Sequence, residues 1–201
     1  MAPTETHTDT LAAIQSQLNQ WAQELGFQQV GITGVDLNEH EGYLQKWLDA
    51  GYQGDMHYMT RHGLTRARPA DLIPGTCTVL TLRMDYLPEA AADPEMVLGQ
   101  NDRAYISRYA LGRDCHKVLR RRLAKLAEQI NLTLADADPK FAFRAFTDSA
   151  PVLEKALGEK SGLGWIGKHT LLLDKEAGSW FFLGEIYTNA PLPIDEDAVE
   201  D

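Results

Sequence analysis

The stretch "SAPVLEKALGEKSGLGWIGKHTLLLD" (149–174) decides which class of fold the sequence predicts. It contains Gly162, Gly167 and Lys168, one residue short of the phosphate-binding loop G-x-x-x-x-G-K-[ST], because His169 stands where the hydroxyl residue belongs. A phosphate-binding loop leaves a strand and opens a helix. Here "SAPVLEKALGEK" is typical of a helix and "TLLLD" of a strand, so the order is reversed. The glycines therefore predict positive φ angles or close backbone approach rather than triphosphate binding.

Composition indicates one domain of ordinary size. The sequence has 201 residues, of which 44% are hydrophobic and 24% charged, as in globular proteins. No apolar run approaches the roughly 20 residues that span a bilayer, and the polar start "MAPTETHTDT" does not resemble a signal peptide. Cys77 and Cys115 lie far apart without C-x-x-C spacing, so no disulfide framework is predicted. We expect a cytoplasmic protein with no membrane partner.

Charge is distributed unevenly along the chain. The formal net charge is −10, and the last eleven residues, "PLPIDEDAVED", contain five acids and no base. Conversely, the segment 103–125 holds eight of the nineteen Lys and Arg residues and a single acid, Asp114. This basic segment predicts either an anion-binding face or an ordinary solvated helix face, and charge alone leaves both open.

Hydrophobic periodicity predicts an α+β or mixed α/β domain built on one sheet. Asn38 with Glu41 predicts a capping box at the start of one helix, and "KEAG" (175–178) predicts a hairpin between its flanking strands. Pro88 and Pro94 favour a long loop over 87–102. The predicted helices cover about 11–25, 38–50, 103–130 (with Gly112 as a possible start or break) and 151–160, and the predicted strands 27–33, 77–87, 141–147, 170–174 and 179–188.

Asp148 is the carboxyl most suggestive of chemistry. It follows the strand "FAFRAF" and precedes a predicted helix, where active-site groups often lie. Asp148 or Ser149 would cap that helix through the side chain. A carboxyl in an apolar pocket would instead keep its proton near neutral pH and act as a general acid. The sequence leaves both roles open.

A second group of polar residues lies at helical spacing in the basic segment. Tyr105, Tyr109, Gly112 and His116 would share one helical face with Leu119 and Leu123, as a ligand wall or as core. Trp165, among three glycines, offers a flat surface that suits a large cofactor. No metal site is predicted, because His57 and His62 have no third ligand at a recognisable spacing.

Six motifs in order resemble the epoxyqueuosine reductase family. They are "GDMHYM" (54–59), "RARP" (66–69), "RYALGRDCHKVLRRRL" (108–123), "DSAPVLEK" (148–155), "GLGWIGKHT" (162–170) and "GSWFFLGEI" (178–186). The resemblance implies a nitroreductase-like α/β domain that binds cobalamin, here residues 1–190. It also implies that the acidic tail 191–201 leads to a ferredoxin-like module with two [4Fe–4S] clusters, for which two cysteines cannot supply the ligands. We therefore expect a truncated form that is inactive without that module. Cys115 stands where the family usually has tyrosine.

The resemblance further implies a reaction and a set of residues. The family reduces epoxyqueuosine to queuosine in tRNA, the last step of queuosine biosynthesis, with cobalamin, an external electron donor and an acid that falls on Asp148. The tRNA anticodon loop carries the substrate, and the basic run from Arg113 to Arg122 would contact its phosphates. The alternatives are a corrinoid carrier and a flavin-dependent reductase. The residues expected against the corrin are Tyr105, Arg108, Tyr109, Arg113, His116, Gly162, Gly164, Trp165, Gly167 and Lys168.

Overall fold

A four-stranded antiparallel sheet forms the centre of the computed structural model, which describes residues 5–87, 90–134 and 141–195. Its strand order is β1-β2-β6-β3, and a small second sheet pairs β4 with β5. The helices are α1 Glu5–Glu24, α2 Asn38–Asp49, α3 His57–His62, α4 Pro69–Leu72, α5 Pro94–Leu98, α6 Cys115–Leu134 and α7 Glu154–Lys160. The strands are β1 Gln29–Gly34, β2 Thr78–Asp85, β3 Phe143–Thr147, β4 Trp165–Ile166, β5 Leu172–Leu173 and β6 Phe181–Thr188. The predicted α+β class is confirmed, with each pairing of the main sheet antiparallel rather than mixed.

One face of the sheet is covered by α1 and α6. Leucine and isoleucine recur on α6 with helical spacing and are buried against Ile32, Leu80, Leu82 and Ile186 of the strands. Gly184 on β6 allows this close packing, since a Cβ there would lie 2.8 Å from Leu123 Cδ1. This apolar layer supports the first turn of α6.

The opposite face of the sheet is covered by the short helix α7. Ala156 and Leu157 are buried there against Val79 and Tyr187. The helix lies close to β1, because a Cβ on Gly31 would be 2.1 Å from the Ser161 carbonyl oxygen. As a result, α7 crosses the centre of the sheet and holds the preceding loop, which contains Asp148, at its edge.

Four predicted features of the helical regions are wrong in detail. The helix predicted over 103–130 begins only at Cys115, after Gly112 with φ +85° and a cap by Asp114, whose Oδ1 accepts from the backbone N–H of His116. The Asn38–Glu41 capping box is absent: Asp36 accepts from the Asn38 N–H, and Glu41 binds Arg68. The loop predicted over 87–102 contains α5, and α7 begins three residues later than predicted.

The predicted hairpin is also wrong. Strand β5 pairs with β4 rather than with β6, and Asp174 and Gly178 form only an isolated bridge. The Asp174 carboxylate accepts from the N–H groups of Glu176 and Ala177, which turns the chain away before β6 begins.

The first residues of the expected tail are part of the domain. Leu192 is buried in the core, and Asp195 Oδ2 accepts from the Ile32 N–H at 2.7 Å. The tail beyond Asp195 lies outside the described residues. None of the helices described is both long and apolar enough to cross a membrane.

Candidate active site

Asp148 lies on a strained loop at the end of β3. It is one of two non-glycine residues with positive φ in the described chain, at +21°. Its Oδ2 lies 2.7 Å from His116 Nε2, so the end of β3 is hydrogen-bonded to the first turn of α6. The predicted helix cap is not formed, because the residue before α7 is Leu153 and makes no side-chain cap. Nor is Asp148 enclosed by apolar groups, since its side chain is 72% exposed.

His116 lies between two carboxylates. Its Nδ1 is 3.1 Å from Asp114 Oδ1, and its Nε2 faces Asp148. The hydrogen bond to Asp148 raises the pKa of His116 most, and Asp114 adds to the effect. The Asp148–His116 pair therefore holds a proton over a wider pH range than an isolated imidazole does.

Two further carboxyls lie beneath this pair, Glu154 on α7 and Glu185 on β6. Burial, and next the charge of Asp148, raise the pKa of Glu154 to about 7. Glu185 is completely buried, and burial together with the charge of Glu154 raises its pKa well above the usual range. Neither residue was predicted to be functional. For Glu185, the sequence feature that could have indicated a role is its position as the one charged residue in the strand "FFLGEIYT".

Three cavities adjoin one another in this region, and Asp148 lines two of them. The largest, about 670 Å³, is mainly apolar and is bounded by Tyr86, Phe182 and the segment 104–113. A cavity of about 270 Å³ contains Asp148, His116 and Glu154 in its wall and shares Tyr109, Cys115 and Phe182 with the largest. On the other side of the loop, Asp148 and Glu154 also line a cavity of about 520 Å³ with aromatic residues that sequence reasoning missed, namely Tyr43, Trp47 and Tyr58.

The predicted ligand wall is assembled by a loop rather than by one helical face. Tyr105 and Tyr109 precede α6, so the predicted shared helical face is wrong for both of them. Arg108 and Arg113, also expected against the corrin, precede α6 as well. All four nevertheless line the 670 Å³ cavity together, while His116 lines its 270 Å³ neighbour. The structure therefore brings five predicted residues to adjoining walls.

The predicted glycine loop does not reach these three cavities. Gly162, Gly164, Trp165, Gly167 and Lys168 are absent from their walls, and only Ile166 of this loop lines one of them. Packing within the chain accounts for two of the glycines. A Cβ on Gly164 would lie 1.8 Å from the Leu173 carbonyl oxygen, and one on Gly167 would lie 2.8 Å from the His169 ring.

A small cluster of potential metal ligands was also missed by sequence reasoning. The ligand atoms of Asp114, Cys115 and His116 lie within 4.8 Å of one another. Both ring nitrogens of His116 already have carboxylate partners, Nδ1 in Asp114 and Nε2 in Asp148. We therefore interpret the cluster as hydrogen-bonding.

The lining of the 670 Å³ cavity fits a corrin. Arg108 Nε is buried without a hydrogen-bond partner among the described residues, so a donor is available for a ligand oxygen. Gly112, also in this wall, has φ +85° and open space where a Cβ would stand. Tyrosine rings, a guanidinium with one free N–H and exposed backbone match a large flat ligand with an amide-bearing rim.

The fold matches solved structures of two kinds of reductase. The structure of epoxyqueuosine reductase from Streptococcus thermophilus matches with a TM-score of 0.74 at 25% identity, covering 94% of this chain and 49% of that one. An epoxyqueuosine reductase solved with an epoxyqueuosine-modified tRNA stem loop matches with a TM-score of 0.74 at 22% identity. The match covers 95% of this chain and 49% of that one. A reductive dehalogenase, described in terms of B12-dependent dehalogenation, matches with a TM-score of 0.52 at 17% identity. The match covers 92% of this chain and 20% of that one. The last two likenesses concern the fold alone.

Sequence comparison matches the chain to the first of these two kinds of reductase, the epoxyqueuosine reductases. The family profile "Epoxyqueuosine reductase QueG, DUF1730" matches residues 66–149. The epoxyqueuosine reductase of Pseudomonas aeruginosa is 58% identical over 186 residues, covering 92% of this chain and 50% of the relative. That of Escherichia coli is 53% identical over 190 residues, covering 94% and 49%. Over nearly its whole length the chain is similar to the epoxyqueuosine reductases, and it spans about half the length of the curated relatives it matches.

Proposed function

We propose that this chain binds cobalamin and delivers protons in the reduction of epoxyqueuosine to queuosine in tRNA. The observation that carries the proposal is the Asp148–His116 pair, with Nε2 2.7 Å from Oδ2, in the wall of a cavity that adjoins the larger apolar one. The cobalamin-binding domain of a cytoplasmic enzyme, expected to end at residue 190, would extend at least to Asp195, which is hydrogen-bonded to β1. The 58% identity to an epoxyqueuosine reductase supports the choice of substrate.

The cofactor would lie in the 670 Å³ cavity. Arg108 would donate to an oxygen of the corrin rim through its unpaired Nε, while Tyr105 and Tyr109 would pack against the ring. When bound and reduced, cobalamin supplies low-potential electrons at cobalt. Two [4Fe–4S] clusters need eight thiolates, and this sequence has two cysteines, so the electrons would come from a donor outside these residues.

The residues of this chain would manage the protons. Removal of the epoxide oxygen as water breaks two C–O bonds and consumes two electrons and two protons. Asp148 would face the substrate and give a proton to the oxygen as it leaves, because a developing alkoxide is a poor leaving group without one. His116 would fix the orientation of the carboxyl and hold a proton in the pair. The strained backbone would keep the carboxyl at the cavity.

The RNA partner would contact the basic side of α6. Lys117, Arg120, Arg121 and Lys125 are exposed on this helix, whereas Arg122 turns inward and donates to the Gly26 carbonyl oxygen. Arg120 also lines a groove of about 480 Å³ with Arg144 and Ser149, directly beside Asp148. Guanidinium groups next to the acid suit the phosphates that flank a modified nucleoside. The solved relative that contains a tRNA stem loop supports this partner.

The experiment that tests the proposal is Asp148→Asn in an otherwise intact enzyme that carries its iron–sulfur module. We expect conversion of epoxyqueuosine to queuosine in a tRNA stem loop, followed by mass spectrometry, to fall by at least about a hundredfold, the usual effect of removing a general acid. Cobalamin binding should be unchanged. Glu176→Gln, at an exposed position in the turn before β6, serves as the control. Unimpaired turnover in Asp148→Asn would refute the acid role.

A further inference from the structure

The most unusual buried group in the molecule is the Glu185 carboxyl. It lies in the middle of β6, between Thr81 of β2 and Phe146 of β3, and is 0% exposed. Neither carboxylate oxygen has a hydrogen-bond partner among the described residues. An ionised carboxylate in such a place would cost several kcal/mol, so the group carries a proton at neutral pH.

Other polar groups around Glu185 are also unpartnered in the described chain. They are the hydroxyls of Thr81, directly opposite on β2, and of Tyr187, two residues along β6, both in buried residues. Burial, and next the charge of Glu185, raise the pKa of Tyr187, so this phenol stays neutral. Arg83 lies on β2 two residues from Thr81, but it is engaged by Asp85 and Asp174. The surroundings therefore offer hydroxyls, which can relay protons, and no cation committed to Glu185.

Glu154 connects this buried group to the surface. It opens α7, lines two cavities with Asp148, and interacts electrostatically with Asp148 on one side and Glu185 on the other. Lys155 and His116 are the cations that act on it, and the Asp148 backbone N–H also favours its ionised form. Three carboxyls thus lead inward from Asp148, which is exposed, to Glu185, which is completely buried.

We propose that Glu154 and Glu185 form a proton-holding pair that reloads Asp148 during one catalytic cycle. This inference rests on the proposed function. Asp148 gives the first proton to the epoxide oxygen, receives another from Glu154, and gives that one as the oxygen leaves as water. Glu185 then passes its proton to Glu154, and solvent refills the pair. Two electrons come from a low-potential reductant acting through the cofactor. Neither glutamate touches the substrate, and both act through Asp148.

The test is a carbon-13 NMR titration of the 201-residue chain with labelled glutamate and aspartate carboxyls. We expect one glutamate to titrate near pH 7 and another to titrate well above the usual range for a glutamate. Glu154→Gln should lower the midpoint of Glu185, because it removes the neighbouring charge, and Asp148→Asn should lower that of Glu154. Glu176→Gln should change neither. If the wild-type chain titrates all its glutamates near pH 4.5, the inference is overturned without any variant.

A kinetic arm separates this inference from the proposed function. In the cluster-bearing enzyme, Glu185→Gln should lower kcat by roughly tenfold with KM unchanged, and should remove a limb of the pH–rate profile. An unaltered kcat and pH profile in both Glu154→Gln and Glu185→Gln would refute the proton-holding role. If instead the wild-type enzyme does not reduce epoxyqueuosine, the proposed function fails, while the NMR titration still reports on the pair.

Discussion

At the scale of single residues, the site depends on carboxyls in three different environments. Asp148 is 72% exposed and bonded to His116, Glu154 is partly buried, and Glu185 is completely buried. Environment, rather than residue type, raises the pKa values of the two glutamates. The expected apolar pocket is therefore not found around Asp148, which is exposed. Low-polarity surroundings are found instead around Glu154 and Glu185, whose pKa values burial raises.

This arrangement predicts an unusual pH dependence of stability. Burial raises the pKa of Glu154 in the folded chain to about 7, above its value of 4.5 in the unfolded chain. The stability it contributes is present below pH 4.5 and is lost as pH rises through about 7. Relative to Glu154→Gln, the free energy of unfolding of the wild-type chain should fall over this window by up to about 1.4 kcal/mol per pH unit.

Urea denaturation of the two proteins between pH 5 and pH 8 measures this difference. Glu176→Gln removes an exposed carboxylate and should follow the wild-type curve. Parallel curves for wild type and Glu154→Gln would show that Glu154 titrates alike in the folded and unfolded chains.

At the scale of elements, the sequence predicted the helices and strands whose buried positions repeat regularly. It missed the helix starts and turns that single side-chain hydrogen bonds determine. Periodicity located α1, β1, β2 and β3 because their buried positions repeat along a single element. The same pattern continued by chance through Tyr105 and Gly112, although α6 begins only at Cys115, where Asp114 caps it. The hairpin failed for a similar reason, since the Asp174 side chain bonds locally and turns the chain.

The pairing of β4 with β5 predicts that Gly164 is irreplaceable. Its φ is +147°, and a Cβ would lie 1.8 Å from the Leu173 carbonyl oxygen. Gly164→Ala should therefore lower the free energy of unfolding by roughly 2 kcal/mol or more. Gly42→Ala is the matched control, because Gly42 lies in α2 with open space where a Cβ would stand. Its free energy of unfolding should rise by about 0.5–1 kcal/mol, since alanine favours the helix. A Gly164→Ala chain as stable as wild type would contradict the packing described here.

The exposed side of α6 and the adjacent groove predict salt-dependent RNA binding. Arg120→Gln combined with Arg144→Gln should weaken binding of a tRNA stem loop and reduce the slope of log K against log salt by about 0.7–0.9 per lost phosphate contact. Lys46→Gln removes an exposed charge on α2 that lines none of the cavities described, and should have little effect. Fluorescence anisotropy across a salt series measures both. Equal slopes for the double variant and wild type would exclude the groove as a phosphate site.

At the scale of the whole molecule, the site is made by contacts that no local pattern contains. His116 and Asp148 are 32 residues apart in sequence and meet because α6 and β3 lie side by side. Glu185 reaches the same region only because β6 is an inner strand under α7. Sequence reasoning could identify Asp148 and the tyrosines as candidates, and the family resemblance supplied their roles. It could not determine that two glutamates lie behind them.

The cavities of the whole domain predict which cofactor the chain binds. A visible absorption titration with cobalamin should give a saturable spectral change, because the 670 Å³ cavity combines tyrosine rings with the unpaired Nε of Arg108. Arg108→Gln should weaken this binding, whereas Lys46→Gln should not. FMN, titrated in parallel, should give no response. Binding of FMN alone would favour a flavin-dependent reductase and refute the cofactor assignment. Cobalamin binding in an enzyme indifferent both to epoxyqueuosine and to Asp148→Asn would indicate a corrinoid carrier, since the cavity alone supplies affinity and only the carboxyls supply protons.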